Sequence, residues 1–359
     1  MDSRTERHPG TAPVPPVLRV TLVSGIDTAE RSRVCRLLAG APGDAAPSTA
    51  IEEETEDSGE FALVLADRLL AAAHADETGR TVVALDPDAD VMEVGFVLET
   101  EFEDRRSEGP PAELHDLVSV VSVRDVHRWL LSTAPAPAVD HVTAELISSH
   151  LEFATVIVLT DAEAALPEHL RSTLGLVQRL NPDATVVTGT LSGMRTTRRP
   201  GGRWCARRVG RRMGWALELA EPNASLAWAN DVGALVFRDP RPFHPERLFE
   251  AVVHELVPQR VGRIARSRGL VQLATRADHH GSWRSAGDTV SFDPTGLSSW
   301  DADAPAGHEM VFFGERLDRE RIITTLHGCL LTDAELIAGP SAWARFRDPF
   351  PAWPVHHHP

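Results

Sequence analysis

The sequence predicts an α/β fold with a mostly parallel sheet, followed by a smaller α+β domain. Three observations carry this. Through the first half, apolar strand-like runs alternate with stretches of helical periodicity. Those runs, RTVVALD at 80–86, LVSVVSV at 117–123 and FATVIVLTD at 153–161, are apolar throughout, as strands covered on both faces are. In the second half the alternation gives way to several short strands in succession.

Residues 18–38, LRVTLVSGIDTAERSRVCRLL, open the first domain. Val20, Leu22 and Val23 sit in an apolar β-type run, Ser24-Gly25 makes a turn, and Val34, Leu37 and Leu38 recur at helical spacing. Strand, glycine turn and helix form the unit that cradles phosphate in P-loop proteins, with the pattern G-x-x-x-x-G-K-[ST]. From Gly25 the chain offers G-I-D-T-A-E-R-S: Gly25 and Ser32 remain, Glu30 replaces the second glycine and Arg31 the lysine. Glu30 adds a Cβ and a negative charge where a triphosphate tolerates neither, and a fork-shaped guanidinium is a poor substitute for an ammonium at a tight site. The sequence holds no lysine to take the role. Gly25, Arg31 and Ser32 are therefore expected as a vestigial phosphate loop.

The remaining elements follow in order. Helices are expected at 61–75, 91–100, 124–131, 142–152 and 166–180, with a strand in NPDATVVTG after the last of them. From Arg195 the composition changes. Arg195, Arg198, Arg199, Arg203, Arg207, Arg208, Arg211 and Arg212 fall in one stretch without an acid, among Pro200, Gly201 and Gly202. After Ala227, ALVFRDPRPFHPERLFEAVVHEL reads as strand, turn and helix, with Pro245 in the first helical turn and His244 near the cap. GLVQLATR, TVSFD and HEMVFFGE read as three strands, and DRERIITTLHGCLL as a helix. His279 and His280 fall in a loop. The expected organisation is a tail at 1–16, a P-loop-like domain at 17–190, an Arg-rich linker at 191–226, an α+β domain at 227–353 and a His-rich tail at 354–359.

Composition narrows the function. The formal charge of −16 argues against a general nucleic-acid binder and leaves the arginine stretch as a local basic patch. Three distant cysteines, Cys35, Cys205 and Cys329, suggest a reducing compartment and no disulfide framework. No apolar run reaches membrane-spanning length, so a cytoplasmic location is expected.

The C-terminal half then carries a resemblance. Asp239-Pro240-Arg241-Pro242-Phe243-His244-Pro245-Glu246-Arg247-Leu248, Arg266-Ser267-Arg268-Gly269, Trp283-Arg284-Ser285-Ala286-Gly287, Leu330 to Glu335 and Asp348 to Trp353 are similar to successive motifs of the CobW family of P-loop GTPases, which is associated with metal homeostasis. The resemblance implies a degenerate P-loop domain followed by a CobW C-terminal domain. The family's guanine-reading N-K-x-D aligns with Thr160-Asp161-Ala162-Glu163, the acid of its E-[ST]-x-G-x-A-D strand end with Ala84, and its metal motif G-C-x-C-C with Gly59-Glu60-Phe61-Ala62-Leu63. Asp86 could still meet magnesium, but no thiol remains to select zinc.

Two readings compete. In its eroded motifs the chain resembles an actinobacterial CobW-like subgroup that recruits a hibernation factor to ribosomes when zinc is scarce. That implies a binding factor contacting a ribosome, or a ribosome-bound hibernation factor, through the eight arginines, with Trp204 and Trp215 able to stack on bases. The alternative is a GTP-dependent zinc or cobalt metallochaperone, for which the sequence offers His279, His280, His356, His357 and His358. The expectation is no catalytic residue, no resident cofactor beyond weak GTP–magnesium or zinc binding, and no membrane or DNA partner.

Overall fold

A computed structural model describes residues 17–39, 57–74, 79–107, 112–134, 142–188, 213–221, 232–302 and 304–353. The first domain is a five-stranded parallel sheet. Its strands are β1 (Leu18–Ser24), β2 (Gly79–Ala84), β3 (Ala112–Val121), β4 (Val156–Leu159) and β5 (Thr185–Thr188), in the order β2-β1-β3-β4-β5. β1 lies at the middle of three strands, with Leu22 opposite Val83 on one side and Leu117 on the other. Its helices are α1 (Thr28–Ala39), α2 (Ser58–His74), α3 (Val91–Asp104), the short α4 (Val123–Val126) continued by a π-turn at His127–Leu131, α5 (Thr143–Phe153) and α6 (Pro167–Leu180). Val34 and Cys35 on α1 pack on Val23, Val118 and Val120. The opposite face of the sheet meets the apolar sides of α2, α3 and α5 through Leu65, Leu98 and Ile147.

The second domain is a five-stranded antiparallel sheet in the order β6-β10-β7-β8-β9, made of β6 (Val232–Asp239), β7 (Arg263–Val271), β8 (His279–Ala286), β9 (Thr289–Ser298) and β10 (His308–Glu315). Three expectations are corrected here. The strand expected in GLVQLATR runs earlier, over Arg263–Val271, and Ala274–Arg276 is a single 3-10 turn. His279 and His280 begin β8 and do not lie in a loop. The third of the apolar runs, FATVIVLTD, starts its strand only at Val156, because Phe153 still closes α5. In the stretch expected as linker, helix α7 (Gly214–Ala220) packs on α6 through a buried Arg179–Glu218 pair at 3.1 Å. The eight arginines from Arg195 to Arg212, Trp204, and His356 to His358 lie outside the described residues.

The two-residue period of β10 explains how the domains join. Met310 and Phe312 face the second domain's own helices, α8 (Pro245–Glu250) and α9 (Arg319–Cys329), in a core with Phe243, Leu248 and Leu326. Val311 and Phe313 face the other way, into one core shared with Leu176, Val177 and Met213. A side chain such as Phe313, fully buried there, contributes about 2–3 kcal/mol by transfer from water. Polar contacts seal the seam. Arg263 Nε donates to the Leu130 carbonyl of the π-turn at 2.8 Å. Gly287, at φ +57°, brings the β8–β9 turn so close to the Trp129 carbonyl that a Cβ would lie 2.1 Å from it.

Candidate functional site

In open parallel sheets, ligands bind beyond the carboxyl ends of the strands, where helix N-termini gather. Gly25, Arg31 and Ser32, expected as a vestigial phosphate loop, lie there. β1 ends at Ser24 and α1 starts at Thr28, so Gly25, Ile26 and Asp27 alone make the turn. Thr28, Ala29 and Glu30, which a phosphate cradle would hold as open loop, are already helical. Gly25 has φ +151°, and a Cβ there would meet the Val120 carbonyl at 2.4 Å.

The side chains close what the short turn leaves. Asp27 Oδ1 accepts from the amides of Ala29 at 2.9 Å and Glu30 at 3.0 Å, the donors that would otherwise face an anion. Arg31 turns inward and is 5% exposed. Its Nη1 donates to the Gly25 carbonyl at 2.5 Å and its Nη2 reaches Thr28 Oγ1 at 3.5 Å. Burial pushes this guanidinium below its ordinary pKa, against the opposing pull of Asp86, Cys35 and Asp27. Ser32 lies half-buried one turn into the helix.

Neighbouring helix starts are filled in the same manner. Asp57 Oδ1 accepts from Gly59 and Glu60 at 2.8 and 3.1 Å, and Asp90 Oδ1 from Met92 and Glu93 at 2.9 and 3.1 Å. The Asp90 amide donates to Ser58 Oγ, which sets the starts of α2 and α3 side by side. Asp161, in the run aligned with the guanine-reading motif, accepts from the Val123 and Arg124 amides at 2.5 and 3.2 Å. Glu93 is held above the ordinary carboxyl pKa, first by burial and then by Asp90 and Asp57. The residues present therefore do not fit a nucleotide triphosphate: the α1 amides are taken, the cation faces inward, and the surrounding edge is negative.

Gly59 to Leu63 form the first turn and a half of α2, with Ala62 buried and Leu63 exposed. His279 is exposed while His280 is 1% exposed, as neighbours on a strand must diverge, and His280 Nε2 contacts the Gly307 carbonyl at 3.0 Å. Among the described residues no three His, Cys, Asp or Glu side chains converge as a metal site would require. His244 caps α8, and Cys329 is buried in the core. Sequence reasoning missed Asp27 as a cap, although an acid immediately before T-A-E-R is a helix-start signal. Asp161 gave no local signal, because its partners lie 37 and 38 residues away.

The chain is similar to known proteins over part of its length. Residues 232–330 match the family described as cobalamin synthesis protein cobW C-terminal domain. The chain is similar to the zinc-regulated GTPase metalloprotein activator 1 of Dictyostelium discoideum, at 26% identity over 57% of this chain and 48% of that protein. It is also similar to the zinc chaperone Rv0106 of Mycobacterium tuberculosis, at 26% identity over 70% of this chain and 66% of that one. The chain thus spans about half the length of the first of these relatives and less than two thirds, narrowly, of the second. The zinc-bound YjiA GTPase of E. coli aligns over 88% of this chain and 99% of its own, at 16% identity and a TM-score of 0.35. Among the described residues no helix is long and apolar enough to cross a membrane.

Proposed function

We propose that the chain, whose residues 232–330 match the cobW C-terminal domain family, works as a docking or recruitment factor linked to zinc limitation and ribosome hibernation, without turning over GTP. One observation carries the reading: the first-turn amides of α1 are bonded to Asp27 while Arg31 is folded back onto Gly25. A GTPase needs a phosphate cradle, a metal-holding acid and a placed water. Ala84 stands where the family's strand-end acid would be, and Thr160-Asp161 where its asparagine and lysine would read the base. The first domain then serves as a body that presents surfaces, in the cytoplasm. The basic stretch from Arg195 to Arg212 supplies a contact suited to ribosomal RNA or an acidic protein, since guanidinium groups pair well with phosphates and carboxylates.

Two measurements test this. Pure protein should show no magnesium-dependent GTP turnover above buffer; turnover that Arg31→Ala abolishes overturns the reading. Ribosomes from zinc-limited cells should co-sediment with the full chain at low salt, and reversing four of the eight arginines to glutamate should release it. Unchanged sedimentation removes the arginine contact.

The second reading is delivery of zinc or cobalt gated by nucleotide, and the names of the relatives favour zinc. It needs ligands, for which His279, His280 and His356 to His358 are the histidines at hand. Zinc titration by calorimetry separates the two: a tight one-to-one site lost on removal of these histidines favours the chaperone.

A further inference from the structure

Of the described helices that start along or beside the carboxyl edge of the parallel sheet, α1 to α4 have their first amides bonded to a carboxylate from this chain, Asp27, Asp57, Asp90 and Asp161 respectively, while α6 starts without a side-chain cap. The α1 case differs from an ordinary cap by its surroundings. The helix begins within three residues of β1, the turn is pressed on Val120, and the residue aligned with the phosphate-binding lysine braces the same turn from inside. Amides and helix dipole at such a start favour an anion. Here the anion is covalently part of the protein.

We infer that Asp27 is a built-in substitute for a bound phosphate, which holds the β1–α1 unit in one arrangement with no nucleotide present. The inference builds on the docking reading, because it gives the reason why docking would need no nucleotide signal. The regulation it implies is by amount of protein or by the partner, and not by a bound triphosphate. Asp27 acts through two backbone amides that a free phosphate would otherwise use, so removing its carboxylate should open the position to a small external anion. Glu30 lies in the same first turn, but its side chain reaches Arg33 at 3.4 Å. It leaves the amides to Asp27.

The test uses the full chain and no partner, so it fails or succeeds separately from ribosome binding. Thermal melts are recorded in chloride, in 20 mM inorganic phosphate at matched ionic strength, and with GTP–magnesium. The wild type should melt at the same temperature in all three. Asp27→Ala should melt a few degrees lower, as loss of a helix cap does, on the order of 3 °C for a chain this size, and phosphate should restore part of the loss. Asp27→Asn keeps an acceptor oxygen, so it should melt between the two and respond to phosphate less than Asp27→Ala. Hydrogen exchange on the wild type covers the case in which Asp27→Ala does not fold: the Ala29 and Glu30 amides should exchange slowly, at rates that GTP–magnesium does not change. The inference is overturned if phosphate or GTP–magnesium raises the wild-type melting temperature or slows those two amides. It is equally overturned if Asp27→Ala melts with the wild type or ignores phosphate.

Discussion

Arg31, in the first turn of α1, donates back to the carbonyl of Gly25 in the loop before the helix, at 2.5 Å, and the turn it braces has room for no side chain at Gly25. Both residues match positions of a phosphate loop, yet their contacts are with each other. Gly25→Ala should therefore cost about 2 kcal/mol or more of stability, from strain at positive φ and the clash with Val120, read as a lower denaturant midpoint.

Arg31→Lys should not bring GTP turnover into being. A lysine recovers the family's ammonium, but α1 still starts at Thr28 and Asp27 still holds its amides. The variant should also lose about 1 kcal/mol, since a single ammonium cannot reproduce the guanidinium's reach to both Gly25 and Thr28. A GTPase assay and a urea melt check the two halves.

The seam between domains should be sensitive to acid. Arg266 is wholly buried and binds Glu152 through Nε at 2.9 Å and Nη2 at 3.0 Å, with Glu145 on its other side. Burial alone would raise the Glu152 pKa, but Arg266 and Arg268 bring it down to about 2. A carboxyl depressed in the fold stabilises above its unfolded pKa and loses that contribution as pH falls. The pair should thus supply stability at neutral pH that fades from about pH 4.3 towards 2, on the order of 3 kcal/mol. Glu152→Gln leaves two arginines facing a neutral amide, so it should cost about 3–5 kcal/mol at pH 7 and flatten that acid limb in denaturant titrations.

Two histidines should act at milder pH. Burial holds His150 at about 4, with Arg31 adding to the effect, and His308 at about 3. Unfolding frees both to bind protons near pH 6.5, so stability should fall with decreasing pH between about 6.5 and 4. With both contributing, the slope approaches about 2.7 kcal/mol per pH unit. His308 stacks on Phe243 at 3.8 Å and accepts from the Gln272 amide at 3.1 Å. His308→Gln should lower stability at pH 7 and roughly halve the slope.

The parallel sheet was legible because its strands are apolar on both sides and its helices keep their period. β8 was not, since HHGSWRSA lacks branched aliphatics: Gly281 and Ser285 are buried by what lies over them, with Phe292 and Trp353 against Gly281. The early start of β7 was hidden for a related reason. RIARSR reads as surface, yet Arg263 and Arg266 are 4% and 0% exposed, held by partners about 120 to 130 residues away. At the candidate site the pattern disclosed which phosphate-loop residues were replaced. It could not disclose that Arg31 turns inward, because that depends on where α1 begins.

Arg266 gives the protein a constraint on its descent. The two domains cannot be shuffled independently between relatives, because a foreign first half lacking acids at the places of Glu145 and Glu152 would inherit a cation sealed in oil. Chimaeras spliced near residue 227 should survive only when both halves come from lineages that kept this lock and its key together.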